Sequence, residues 1–213
     1  FSTLELVPLI LILFEALGQY RALSASDETF HYKLPFAFII ASGVWNFVGA
    51  GVLGFFINLP LLNYYEHGTY LTVAHAHAAM FGAFGFLALG MATYMLRLSV
   101  DPEKWSGKRL WWAFWLWNAG LAVMVGVSLL PVGFLQLEAA FTQGYAYARS
   151  LAFYNRDLVQ LLFWARFPGD TMLILGTLVF AYDVVRKRFL LRDVEEDAST
   201  GPVASRVLSD DDD

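Results

Sequence analysis

The chain has 213 residues, of which 58% are hydrophobic, 17% are aromatic and 15% are charged, and its formal net charge is −5. It contains no cysteine, which excludes disulfides and cysteine-ligated metal centres within the chain. Nothing in the sequence resembles a nucleic-acid-binding site. So apolar a composition is typical of a membrane protein with several spanning helices.

Five apolar stretches are long enough to cross a membrane. A bilayer core of about 30 Å requires about 20 helical residues, and stretches of this kind fall at 2–23, 34–59, 69–97, 110–137 and 168–187. The connections between them are too short for a second folded domain. The sequence therefore predicts an all-α bundle of five transmembrane helices over residues 1–190.

The acidic residues are concentrated at the C-terminus. Residues 193–213 hold eight acids and one arginine and carry a charge of −7, whereas the remaining 192 residues carry +2. A polar segment of this kind has too few apolar side chains to form a core. We therefore expect residues 191–213 to form a disordered tail.

The distribution of lysine and arginine predicts an orientation. The connection 97–109 and the stretch 186–192 each carry four basic residues, and the connection 24–33 carries Lys33 with Arg21 just before it, whereas the connection 60–68 has none. Cytoplasmic loops carry the excess of positive charge. The three arginines of the connection 138–167 weaken this bias without reversing it. We expect a multi-pass protein of the cell membrane with a cytoplasmic C-terminal tail.

The third span contains two histidines one residue apart, His75 and His77, in an almost uncharged stretch. Ionisable residues at membrane depth usually mark a functional site. Side chains two residues apart on a helix point about 200° apart, so one metal cannot bind both, whereas two metals on opposite sides can. The spacing favours a helix placed between two haems. Two buried histidines bonded to neighbouring helices are the alternative.

The neighbours of the two histidines differ in size. For a regular α-helix, small residues share the face of His75, and larger apolar residues share the face of His77. A flat macrocycle can approach a backbone lined by small side chains, although small residues also serve plain helix packing. The two sets are Ala78, Ala79 and Gly82 for His75, and Val73, Met80, Phe81 and Phe84 for His77.

His67 lies eight residues before His75, which is about 12 Å along a continuous helix toward the predicted outer interface. Haem propionates are anionic and lie at wet boundaries that are rich in hydrogen-bond donors. We therefore expect His67 to meet a haem propionate. An ordinary interfacial histidine is the alternative.

Several motifs resemble subunit I of the haem–copper oxidase superfamily, and most closely its nitric oxide reductase branch. The segment 63–82, NYYEHGTYLTVAHAHAAMFG, resembles helix X, and 47–55, FVGAGVLGF, resembles helix IX. Three later segments, 128–136, 144–150 and 166–170, are similar to the quinol-dependent form. The resemblance covers about residues 1–190 and implies helices VIII to XII of that fold.

The resemblance implies a function and cofactors. Two b-type haems are implied, with His75 as the proximal ligand of a high-spin haem and His77 as an axial ligand of a low-spin haem. A non-haem iron is implied as well. The implied reaction converts two nitric oxide molecules, two electrons and two protons to nitrous oxide and water. Quinol or another donor would supply the electrons.

Glu5 is the second informative position. The segment 4–8, LELVP, resembles a helix VIII motif whose glutamate lies near the non-haem iron. A buried carboxyl group can hold and transfer the protons that the reaction consumes. A carboxylate at a fraying helix end is the alternative. Glu15 matches no family position and could serve a proton path or pair with a neighbouring helix.

Arg166 and Asp170 flank a Pro-Gly pair at the start of the last span. Proline in a first helical turn followed by an acid is ordinary chemistry for a helix start, and we interpret Asp170 in this way. Arg166 could additionally meet a haem propionate.

The resemblance also implies missing parts. The first seven helices of the fold would supply the second axial histidine of the low-spin haem and the main ligands of the non-haem iron. His31 and His67 lie near membrane edges and cannot replace them. We therefore expect this chain to need an N-terminal seven-helix partner portion. The alternatives are part of an oxygen-reducing terminal oxidase, a non-catalytic membrane b-type cytochrome or assembly subunit, and a helical scaffold without cofactor.

Overall fold

The computed structural model describes residues 2–25, 32–100 and 105–200, and for residues 2, 3, 5 and 188–200 it describes the backbone alone. Three predictions concern residues outside this part. The side chain of Glu5, the position of His31 and the tail from residue 201 onward are therefore left as predicted.

Nine helices make up the described part of the chain, which contains no strand. They are α1 (Ser2–Ala25), α2 (Lys33–Asn58), α3 (Pro60–Glu66), α4 (Tyr70–Ser99), α5 (Lys108–Gln143), α6 (Tyr145–Ala148), α7 (Leu151–Tyr154), α8 (Asp157–Trp164) and α9 (Phe167–Thr200).

The predicted fold class is confirmed. Five helical stretches are long and apolar enough to cross a membrane, namely Leu6–Ala25, α2, α4, α5 and Asp157–Lys187. The connections are more structured than the sequence analysis expects. The predicted loop 60–68 contains α3, and the connection 138–167 contains the end of α5 and three short helices. Helix α9 continues to Thr200, through ten residues assigned above to the tail.

Three of the long helices contain a π-helical segment. These segments are Phe47–Leu53 in α2, Ala78–Gly85 in α4 and Met124–Leu129 in α5. A π-helical turn holds more residues than an α-helical turn, so side chains beyond it face directions that a regular α-helix would not give. Such insertions are frequent at functional sites. The segment in α4 begins directly after His77.

Glycines allow α5 and α9 to lie in close contact. A Cβ atom on Gly120 would come 2.8 Å from the carbonyl oxygen of Gly169, and one on Gly169 would come equally close to that of Gly120. Beside them, the indole Nε1 of Trp117 donates to the carbonyl oxygen of Leu173 over 3.2 Å. Small residues at contacts between membrane helices let the backbones approach in this way.

Aromatic rings fill the centre of the bundle. Phe38 of α2 makes an edge contact with Phe114 of α5, with ring centroids 5.0 Å apart, and a tilted contact with Phe86 of α4. All three rings are buried. They join α2, α4 and α5 into one core, and the His-bearing turn of α4 is built on this core.

Two of the three basic segments, 97–109 and 186–192, meet in the folded chain. Lys187 near the end of the fifth span pairs with Asp183 and donates to the carbonyl oxygen of Ser106 over 3.0 Å. Arg109 at the start of α5 pairs with the same Asp183 over 2.8 Å. Asp183 and Lys187 are almost completely buried. These contacts hold the start of α5 against α9.

Candidate haem-ligand site

The two histidines of α4 each have one ring nitrogen fixed by a carbonyl group. The Nδ1 atom of His75 lies 2.8 Å from the carbonyl oxygen of Gly49 in α2, and the Nδ1 atom of His77 lies 2.9 Å from that of Val73 in its own helix. A carbonyl oxygen can only accept, so each Nδ1 carries the hydrogen and donates it. In the neutral imidazole, Nε2 then keeps a lone pair that can bind a metal.

The π-helical segment of α2 supplies the acceptor for His75. The N–H group of Gly54 donates to the Gly49 carbonyl five residues earlier, and the same oxygen accepts from the His75 ring. The ring also lies against Gly54, where an added Cβ would be 3.4 Å from Cε1 of His75. This contact with α2 fixes the orientation of the His75 imidazole.

The small residues after His77 do not lie where the sequence analysis expects them. Ala78, Ala79 and Gly82 are buried against α2. A Cβ atom on Gly82 would come 2.6 Å from Cβ of Trp45, and one on Gly49 would come 2.6 Å from the backbone of Ala78. The expectation that this stripe approaches a macrocycle is wrong, because α2 covers it.

The expected face of His77 is partly changed by the π-helical segment. Met80 and Phe84 are each 64% exposed, so the described residues leave most of each side chain uncovered. Phe81 turns inward instead, and its ring contacts Phe86 and Trp117 in the core. Two of the three larger apolar side chains expected after His77 therefore remain free to contact a flat apolar group.

The segment before α4 is a tight turn rather than a continuous helix. Gly68 has a φ of +72°, a left-handed conformation that glycine adopts without strain. The hydroxyl of Thr69 then accepts a hydrogen bond from the N–H of Leu71 and caps α4. The distance of about 12 Å expected for His67 along one helix does not apply, since the helix is interrupted here. His67 is exposed, and its carbonyl oxygen accepts from Arg149.

A buried amide secures the start of α4. Gln136 of α5 is fully buried, and its Oε1 accepts from the N–H of Tyr70 over 2.8 Å. Its Nε2 donates to the carbonyl oxygen of Ala148 and to the hydroxyl of Tyr154, both over 3.0 Å. Gln136 thus joins α4, α5 and the connection that follows α5.

Glu66 is a buried carboxyl group that the sequence analysis missed. It is 3% exposed, and its Oε2 accepts from the hydroxyl of Thr72 over 3.0 Å. Burial raises the pKa of Glu66 above its ordinary value, and the hydrogen bond from Thr72 opposes this rise. The sequence does single out this residue, because Glu66 is the only acidic residue between Glu28 and Asp101.

Glu66 lies on a largely apolar cavity of about 340 Å³ between α2 and α5. The other lining residues are hydrophobic, so Glu66 supplies the only titratable side chain of the lining. They are Val52, Leu53, Phe56, Ile57, Leu62, Leu71, Leu130, Phe134 and Leu137.

Arg166 and Asp170 form the pair that their spacing predicts. The Nε atom of Arg166 lies 3.0 Å and 2.9 Å from the two carboxylate oxygens of Asp170, across the first turn of α9. Both side chains are partly exposed. Neither contacts His75 or His77 through any hydrogen bond of the described residues. The role of Arg166 toward a propionate thus stays a prediction.

The donor set fits haem. Neutral imidazoles with Nδ1 bonded to a carbonyl and Nε2 free are the usual axial ligands of haem iron. His75 and His77 both meet this requirement. Within the described residues, no three His, Asp or Glu side chains converge into a group that could hold a further metal ion. The described residues thus offer two separate imidazoles as candidate ligands at this site.

Comparison with known proteins identifies the family of this chain. The family model described as cytochrome c and quinol oxidase polypeptide I matches residues 1–182. A nitric oxide reductase subunit from Stutzerimonas stutzeri is 29% identical over 189 residues, which cover 85% of this chain and 38% of that protein. The chain thus spans well under half the length of this relative. Because the family model matches most of its residues, the chain belongs to the cytochrome c and quinol oxidase polypeptide I family, the haem–copper oxidase subunit I family of oxidoreductases.

Proposed function

We propose that this chain is the haem-binding C-terminal part of a respiratory nitric oxide reductase. Two nitric oxide molecules, two electrons and two protons would yield nitrous oxide and water, with quinol as the electron donor. The observation that carries the proposal is the pair of imidazoles on one turn of α4, each with Nδ1 bonded to a carbonyl and Nε2 free. The similarity to a nitric oxide reductase subunit supports this substrate over oxygen.

The two histidines have different roles in this proposal. His75 would hold the high-spin haem, with its ring oriented by Gly49, and His77 would hold the low-spin haem beside Met80 and Phe84. When bound, the b-type haems supply the electron transfer and the binding of nitric oxide. The protein would hold both imidazoles in place as neutral ligands, and the aromatic core that packs against α4 would exclude water.

His67 and Arg166 are proposed partners of the haem propionates. His67 is exposed in the turn before α4, and Arg166 is partly exposed before α9. Both side chains are potential hydrogen-bond donors. A propionate at Arg166 would share the guanidinium with Asp170, because only Nε is bonded to that carboxylate.

Glu5 is the proposed proton carrier. It lies in the first turns of α1, in the LELVP segment. Glu5→Gln removes the titratable proton while nearly preserving shape. Haem content should therefore survive, whereas turnover of nitric oxide should fall at least about tenfold. Turnover at the wild-type rate would reduce Glu5 to a structural carboxylate.

The proposal requires a partner portion. An N-terminal seven-helix portion of the same enzyme would provide the second axial ligand of the low-spin haem and the main ligands of the non-haem iron. The alignment with only 38% of the relative is consistent with this. The enzyme would lie in the cell membrane, with the basic end of the bundle and the C-terminal tail in the cytoplasm.

The proposal is tested by adding the partner portion. Expressed alone in membranes, the chain should bind little haem and no stoichiometric non-haem iron, and it should not consume nitric oxide. Co-expression with the seven-helix portion should restore all three, as measured by absorption spectra, metal analysis and a nitric oxide electrode. Activity of the chain alone would contradict the proposed division of ligands.

The same assay separates the alternatives. An oxygen-reducing oxidase would consume oxygen rather than nitric oxide under the same conditions. A non-catalytic b-type cytochrome would bind haem and consume neither gas. The proposal predicts consumption of nitric oxide with formation of nitrous oxide in a ratio of two to one.

A further inference from the structure

Helix α1 carries two polar side chains at the middle of a membrane span. Glu15 is the tenth residue of the span Leu6–Ala25, about 15 Å from either end. Both Glu15 and Gln19 are exposed, and the amide Nε2 of Gln19 donates to Oε1 of Glu15 over 2.8 Å. No cation among the described residues pairs with Glu15.

Such an exposed pair is not compatible with a face that contacts only lipid. Carboxyl groups in the hydrocarbon core are costly, and they almost always face protein or a water-filled cavity. The amide of Gln19 satisfies one oxygen of Glu15 only. The remaining polar atoms of both side chains need partners that the described residues do not supply.

The same face contains small residues. Gly18 and Ala22 follow Glu15 by three and seven residues, so they share its side of the helix. A Cβ atom on Gly18 would meet no atom within 4 Å. Membrane helices approach one another closely at small residues and hydrogen-bond through side chains such as glutamine. We define Glu15, Gly18, Gln19 and Ala22 as the polar face of α1.

The opposite side of α1 already has a partner. Leu13 packs toward α2, where a Cβ atom on Gly43 would lie 3.3 Å from Cδ1 of Leu13. Even so, no residue in the 18-residue apolar stretch of α1 is buried in this chain, whereas half of the residues in the corresponding stretch of α5 are buried. Helix α1 therefore has one side packed on α2 and one side that the described residues leave uncovered.

We propose that the polar face of α1 binds a transmembrane helix that lies outside these 213 residues and presents a hydrogen-bond donor to Glu15 at mid-membrane depth. This deepens the proposed function, because the occupant is assigned to the partner portion of the same enzyme. Well over half of the aligned nitric oxide reductase subunit lies outside the alignment, which leaves ample chain to supply such a helix.

Spin labelling of the assembled enzyme in its native membrane tests the proposal. The chain contains no cysteine, so Gly18→Cys introduces the only thiol of this part of the enzyme. Cysteines elsewhere in the enzyme would be replaced first. A nitroxide at position 18 should be immobilised and should lose oxygen broadening relative to a spin-labelled lipid in the same membranes. Leu13→Cys, on the side facing α2, is the control for a buried label.

Three outcomes would overturn the proposal. Oxygen broadening equal to that of the lipid would show a lipid-facing surface. Broadening by a water-soluble nickel complex would show a water-filled path. Dipolar broadening that disappears on dilution with unlabelled enzyme would show a second copy of this chain as the occupant.

Two measures keep the result clear. Ala22→Cys lies one turn further on the same face and replaces Gly18→Cys if the latter does not assemble. Haem content and consumption of nitric oxide are recorded on the same samples. If the sample reduces nitric oxide but the label lies in lipid, in water or beside a second copy, the helix contact is overturned and the proposed function stands. If the label is covered by protein but the sample does not reduce nitric oxide, the helix contact stands and the proposed function is overturned.

Discussion

The Nδ1 atom of His75 lies 2.8 Å from the carbonyl oxygen of Gly49, so the imidazole of one membrane helix is oriented by the backbone of the next. Gly49 belongs to a π-helical segment and directly contacts the backbone of Ala78 and Ala79. The close contact of α2 and α4 and the orientation of the histidine therefore depend on the same glycine.

Gly49→Ala should disturb the haem that His75 is proposed to hold. A Cβ atom at this position would lie 2.6 Å from backbone atoms of both Ala78 and Ala79, so the helices must separate. The His75 hydrogen bond should then lengthen or break. We expect loss or displacement of the high-spin haem bands in the assembled enzyme, with smaller changes in the low-spin bands.

Gly126→Ala is the matched control. It also lies in a π-helical segment, but a Cβ atom there would meet nothing within 4 Å. Its haem spectrum should be that of the wild type. Equal spectral changes in both variants would argue that any glycine replacement disturbs the bundle, without a particular role for Gly49.

Glu66 should make stability depend on pH. Its pKa in the folded chain is raised above the ordinary value near 4.5, mainly by burial. The unfolded chain therefore loses this proton at a lower pH than the folded chain, and stability falls as pH rises from about 4.5 through the folded-state pKa. Glu66→Gln removes this dependence while keeping an acceptor for Thr72.

The measurement is thermal unfolding of the assembled enzyme in detergent across this pH range. Glu66→Gln should gain in melting temperature over the wild type as pH rises, and the difference should shrink toward pH 4.5. Glu138→Gln, an exposed carboxyl group on α5, is the control and should follow the wild type. If the melting temperatures of Glu66→Gln and the wild type changed with pH in parallel, the raised pKa of Glu66 would be contradicted.

Gln136→Leu should destabilise the chain markedly. The substitution keeps a side chain of similar size but leaves the N–H of Tyr70, the carbonyl of Ala148 and the hydroxyl of Tyr154 without this partner. Each buried polar group left without a hydrogen bond costs roughly 1–3 kcal/mol. We expect a clear fall in the melting temperature.

Gln143→Leu provides the comparison for that variant. Gln143 ends the same helix but is exposed, so its replacement should change the melting temperature little. A melting temperature of Gln136→Leu equal to that of Gln143→Leu would show that the three hydrogen bonds contribute little to the stability of the bundle.

The membrane spans could be predicted because they depend on length and composition. The five apolar stretches correspond to five helices that are long enough to cross a bilayer. The short helix α3 could not be predicted in this way, since its seven residues lie between two spans and carry no regular apolar pattern.

The details around the histidines were less predictable. The spacing of His75 and His77 predicts side chains in different directions, and their Nδ1 atoms bond to carbonyls of different helices. The surroundings of Gly82 and Phe81 could not be predicted, because a regular α-helical period was assumed across Ala78–Gly85. The π-helical segment turns Gly82 toward Trp45 and Phe81 toward the aromatic core.

The burial of a carboxyl group was also difficult to predict from the sequence. Glu66 stands alone in a long stretch without acids, which is a signal in the sequence. Its burial depends on the cavity between α2 and α5, which sequence patterns do not reveal. Glu15, in contrast, stands out from its position in the middle of an apolar span.

His75 and His77 are proposed to hold two different haems. The most direct test is the absorption and electron paramagnetic resonance spectra of His75→Ala and His77→Ala in the assembled enzyme, with Met91→Ala, an exposed position of α4, as control. His75→Ala should remove the high-spin signal and spare the low-spin bis-histidine signal, and His77→Ala should do the reverse. Equal loss of both signals from either substitution, in protein that remains folded, would contradict separate ligation.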